Sequence, residues 1–165
     1  MAGHAARTTP DDSPLLYAFM AMDMDERWAA RDPAIMLDTF HWFRGEGFGL
    51  IVEDLAEIRR GTIVEGFRLL PHLVRPQLGE GDRAVWLLPT PEFRRHAFTV
   101  RGDLYKIAGR TRDPERALAN LLERDALFTD RLAAEAAALD LPVIAVDGSR
   151  TLGELIAAVE ATFDL

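Results

Sequence analysis

TIVEGFRLLP, residues Thr62 to Pro71, is the stretch on which the fold assignment turns. Thr62, Ile63 and Val64 are β-branched and run into Glu65 and Gly66, the pattern of a buried strand that ends by presenting a carboxylate at a sheet edge. Ligands bind at that edge in open α/β sheets, so Glu65 is a candidate general base or holder of a metal-bound water. Gly66 would let a ligand approach closely. The competing use of Glu65 is local, as a cap on a neighbouring helix or a partner for Arg68.

Working outward, RAVWLLP (83–89) and LPVIAVDG (141–148) are apolar runs, each about the length of a buried strand. Near-continuous hydrophobicity over so few residues fits parallel strands covered on both faces. Helical stretches separate them. TPEFRRHAFTV opens on Thr90, an N-cap type, with Pro91 at the first helical position. The stretch beginning DPERALANLLERD opens on Asp113 and Pro114 and runs to about Leu139, and TLGELIAAVEATF closes the chain. Strands alternating with helices predict an α/β fold, a three-layer parallel sheet with flanking helices. Residues 14–60 read as helical. PLLYAFMAMD is followed by a segment with Trp28, Ile35, Met36, Phe40 and Phe43 on one face and Pro33 as a start or kink. GFGLIVEDLAEIRR then presents Leu50, Ile51, Leu55 and Ile58 and stops at Gly61. Residues 1–13 are polar and aperiodic, which predicts a flexible arm ahead of one domain, 14–165, with its strand-helix part at 61–165.

A length of 165 residues, 48% of them hydrophobic, accommodates one core. The net charge of -8 argues against a nucleic-acid partner or an anionic membrane surface. No apolar run approaches the ~20 residues that span a bilayer, and the opening residues lack the apolar centre of a signal peptide. Without cysteine there is no disulfide framework or thiolate metal site, and a cytoplasmic location is the expectation. Oligomerisation is left open.

Three constellations could carry chemistry. Glu65 is the first. The second is the arginine series Arg94, Arg95, Arg101, Arg110, Arg112, Arg116 and Arg124, joined by the sole lysine, Lys106. Guanidinium forks match phosphate oxygens, so local enrichment in an acidic chain suggests an anionic small-molecule or nucleotide ligand. A solvated helix face laced with i,i+4 pairs is the competing explanation. Gly102 and Gly109 would hinge a segment that closes over substrate. The third is Asp147, Gly148 and Ser149, a turn able to hold a base or sugar, set against plain capping of the last helix by Ser149 or Thr151. Asp125 falls where the stripe of Leu118, Leu121, Leu122, Phe128 and Leu132 calls for an apolar residue, which predicts pairing with an arginine in a partly buried place. His4, His41, His72 and His96 lack metal-ligand spacing. There is no acyl-transfer serine elbow and no dinucleotide fingerprint.

The order TIVEGFRLLP, AVWLLPTPEFRR, an arginine-rich segment, and ERDALFTDRLAAEAAALDLPVIAVDGS resembles the distal two-thirds of small P-loop kinases, the nucleoside and nucleotide kinase-like P-loop NTPases, from about Glu26 onward. The resemblance implies ATP and magnesium as cofactors, with Glu65 placing the metal or its water. It implies a mobile lid around 94–116 whose Arg94, Arg95, Arg101, Arg110 and Arg112 close on phosphates, Arg101 and Arg110 in catalytic roles. It gives Asp147, Gly148 and Ser149 contact with the nucleotide. The chain departs from the family in lacking the G-x-x-x-x-G-K-[ST] loop that cradles phosphates. Lys106 has no glycine-rich lead-in, and nothing in residues 1–13 supplies the strand before that loop. Two functions follow: a truncated or degenerate kinase-like domain, ancestrally transferring phosphoryl groups from ATP to a small metabolite, or a non-catalytic α/β module that binds an anionic ligand or a partner protein.

Overall fold

A computed structural model describes residues 2–59 and 61–164, the side chains of residues 2 and 103–105 excepted. Its centre is a single long helix, α9 (Pro114–Ala138), started by Pro114 at its first position and by the Asp113 carboxylate, which accepts from the Arg116 amide at 3.1 Å. Ala117, Leu121, Leu122, Phe128, Leu132 and Ala136 recur along it at helical spacing and are buried. Against this stripe pack α3 (Met24–Trp28), α4 (Pro33–Thr39), α6 (Pro71–Val74), α7 (Pro91–Arg101) and α8 (Asp103–Ala108). The Asn120 side-chain amide reaches from α9 to the carbonyls of Trp28, Ala29 and Arg31 at 3.1, 3.1 and 3.2 Å, satisfying acceptors left over where α3 ends.

The expected α/β sheet is corrected here. The molecule is 59% helical and its sheet has two short strands. These are β1 (Trp86–Pro89) and β2 (Val143–Val146), parallel and in register from Trp86 with Val143 to Pro89 with Val146. Both lie inside predicted runs. The third predicted strand does not form: residues 63–66 join no sheet, Ile63 is 89% exposed, and Glu65 stands in an exposed loop. β-branched residues suit a pleated surface only where a neighbouring strand supplies the ladder and a cover supplies burial, and this loop meets neither condition.

Upstream, the segment with Trp28, Ile35, Met36, Phe40 and Phe43 forms α3, α4, for which Pro33 is a start and not a kink, and a 3-10 turn at His41–Arg44. Asp23 and Glu26 form a reciprocal capping box on α3, and Asp32 with Pro33 starts α4. α2 (Pro14–Ala21) is capped from a distance, the Glu46 carboxylate accepting from the Leu15 and Leu16 amides at 2.9 and 2.7 Å. The polar leader expected as a flexible arm is docked. Its one helical turn, α1 (Ala2–Ala5), places His4 beneath the surface, and Ser13 is buried. His4 lies 6.1 Å from the ring of His41, which is wholly buried among Phe19, Phe40 and Trp42 with no hydrogen-bond partner on either nitrogen. Arg7 pins the same leader to α5 (Phe48–Ala56) through Glu53 at 3.0 Å and Asp54 at 2.7 Å.

α10 (Leu152–Phe163) closes the chain with a capping box between Thr151 and Glu154, yet none of its side chains is buried, and Leu152 is 75% exposed. No described helix is long and apolar enough to cross a membrane.

Candidate anion-binding site

Because β1 and β2 are parallel, the segments leaving them emerge at one edge. Thr90 follows β1 there and caps α7, accepting from the Phe93 amide at 3.2 Å. Asp147, Gly148 and Ser149 follow β2. Gly148 has φ 86°, and a Cβ on it would come within 3.1 Å of the Phe93 ring, so the turn and the first residues of α7 are in contact. The Asp147 carboxylate accepts from the Ser149 hydroxyl at 2.7 Å and its amide at 2.9 Å, bonds that hold it below the usual carboxylate range. Ser149 is thus engaged within the turn, and Thr151 does the capping.

The arginines divide into two sets. Arg95, on α7, Arg101, its last residue, and Arg110, just past α8, are exposed, and their guanidiniums form no hydrogen bond or ion pair with a described residue. The segment carrying them is two helices joined at Gly102, whose φ of 68° fits a glycine, and α8 is anchored on α9 with Ala108 buried. Arg112 is tied to Asp25 by its amide at 2.7 Å and its Nε at 3.2 Å, although its side chain is 93% exposed. Arg94 turns inward. Its Nη1 donates to Asp125 at 3.1 Å and its Nη2 to Thr129 at 3.3 Å, with its Cζ 5.8 Å from the Phe98 ring centre.

Asp125 also holds Arg124, from which Nε and Nη2 donate to Oδ1 at 3.0 and 2.6 Å. The predicted pairing of Asp125 with an arginine is therefore present twice over. The Arg124 guanidinium sits 5.2, 5.3 and 5.1 Å from the ring centres of Trp28, Phe40 and Phe43, a cation in an aromatic enclosure. Arg124 belongs to the arginine series but not to the residues that the kinase resemblance assigns to phosphate. The misplaced polarity of its neighbour Asp125 was the signal that could have found it.

Glu65 does not occupy a strand end, and its carboxylate makes no hydrogen bond with a described residue. Among the described residues no three of His, Asp and Glu converge as metal ligands, and no glycine-rich loop leads into the only lysine. Compared with protein-family models, with curated proteins and with solved structures, the chain finds no match.

Proposed function

We propose that this chain binds a small ligand bearing an oxyanion, phosphate foremost, and does so as a binding module without phosphoryl-transfer activity of its own. The observation that supports the reading is the state of Arg95, Arg101 and Arg110. In a chain of net charge -8 these guanidiniums stand exposed, without an acidic partner among the described residues, on the segment that follows β1. Planar forks in that state suit carboxylate or phosphate oxygens. The lack of transfer follows from the missing amide-and-lysine cradle, because phosphoryl transfer depends on positioning and on neutralising charge at the moving group. A reducing, cytoplasmic setting belongs to the same proposal and fits the absence of cysteine.

A second reading keeps ATP-dependent transfer to a small metabolite. It is favoured by the contact of Gly148 with Phe93, which sets the turn assigned to the nucleotide beside the first arginine-bearing helix. Calorimetric titration with pyrophosphate, and with ATP with and without magnesium, tests both readings beside a turnover assay on hydroxylated and phosphorylated acceptors. Saturable oxyanion binding with no ATP consumption is expected. Turnover would establish the second reading, and no saturable binding of any oxyanion would remove both.

A further inference from the structure

Arg94, Arg124 and Asp125 form a charge cluster mostly withdrawn from solvent. The side chains are 21%, 9% and 10% exposed, respectively. Two guanidiniums share one carboxylate, and among the described residues no second carboxylate bonds to either. Counted by hydrogen-bonded partners, the cluster has two guanidiniums to one carboxylate. Arg124 spends its side-on edge, Nε and Nη2, on Asp125 Oδ1. Its end-on edge is left over, and Nη1 on that edge is buried with no hydrogen-bond partner. The rings of Trp28, Phe40 and Phe43 attract the cation but leave that N–H without an oxygen.

A buried donor without an acceptor is costly, the more so on a charged group. An apolar side chain of similar volume would fill the aromatic enclosure without that cost. What the guanidinium offers instead is a fork held in one orientation by a carboxylate, beside a second guanidinium, which is how an oxyanion subsite is prearranged. Arg94 is the most exposed member, and its 3.3 Å contact with Thr129 is the longest hydrogen bond of the cluster, so the solvent side is the Arg94 side.

We propose that Arg124 and Arg94, oriented by Asp125, form an oxyanion subsite that takes the phosphate group of the ligand. Arg124 donates through its end-on edge and Arg94 from the solvent side. The proposal rests on the oxyanion-binding reading above and deepens it, adding to the exposed arginines a buried pair that seats the phosphate group.

Trp28 stands over Arg124, so its emission reports occupancy. The full chain is titrated with inorganic phosphate and with pyrophosphate, against sodium chloride at matched ionic strength, following fluorescence and the thermal midpoint. Wild type is expected to give a saturable fluorescence change and a raised midpoint with either phosphate. Arg124→Met, which keeps the packing, should fold and bind at least tenfold more weakly, whereas Arg75→Ala, at an exposed arginine outside the arginine series, should change affinity less than threefold. If Arg124→Met does not fold, Arg94→Met gives the same reading at the edge of the cluster, again with a tenfold loss expected. Wild-type affinity in the folded Arg124→Met or Arg94→Met variant would overturn the buried subsite, and loss of that binding on replacing Arg101 and Arg110 by alanine would leave the broader reading standing. A wild-type response no larger than that to chloride would overturn both.

Discussion

His41 couples the stability of this fold to acid. Burial lowers its pKa to about 4, with the neighbouring His4 adding to the effect, and His4 is itself lowered by burial and then by the charge of Arg68. Glu46 is the carboxylate near this pair, and its oxygens are engaged by the amides that open α2. A base whose folded pKa lies below its unfolded value of 6.5 favours the folded state fully above 6.5, and that contribution is lost as pH falls from 6.5 towards 4. For His41 the loss amounts to roughly 3 kcal/mol across that window. Urea unfolding of wild type should therefore steepen in pH dependence below 6.5, and His41→Phe should remove most of that added slope; equal slopes in the two proteins would refute the assignment. Little of this was legible beforehand, because HWFR gives no hint that the imidazole faces rings and a second histidine. Asp125 was legible, because one acid on an otherwise apolar helical stripe demands a cation and arginines were the ones at hand.

Among the elements, the docked leader depends on a glycine. Gly47 has φ 77° and precedes α5, and a Cβ there would collide with the His4 ring. Gly47→Ala should release residues 2–13 while leaving the helices around α9 packed, seen as faster tryptic cleavage after Arg7 with unchanged near-ultraviolet circular dichroism. Cleavage at the wild-type rate would show that the ion pairs of Arg7 with Glu53 and Asp54 hold the leader without His4. The helices themselves were readable where Asp or Thr precedes Pro, as at Asp32, Thr90 and Asp113, since cap and fixed φ act locally. The segment at 62–66 was misread for the opposite reason. A strand is completed by a neighbour elsewhere in the chain, and the residues of one apolar run carry no record of whether that neighbour exists. The docked leader escaped notice on similar grounds, its burial being decided by a groove made forty residues later.

Taken whole, the molecule is unevenly packed. Its accessible surface is 10396 Å², whereas a compact monomer of 18.4 kDa would expose about 8,200 Å². The buried mass gathers around α9, while Leu87 of β1, Val143 of β2 and Leu152 and Ile156 of α10 remain open to water. Free energy of opening follows buried contact, so amide hydrogen exchange should be graded along the chain. Amides of α9 should exchange only through global unfolding. Those of α10, which buries no side chain and is held at its start by Thr151 and Glu154, should exchange at least tenfold faster by opening alone. Matched protection in the two helices would mean that α10 is coupled to the core by contacts stronger than its exposure implies. With the grading as expected, the turn at Asp147 to Ser149 is tethered on one side to a cooperative unit and on the other to a helix that comes and goes, so it rearranges on the timescale of that local opening and not of unfolding.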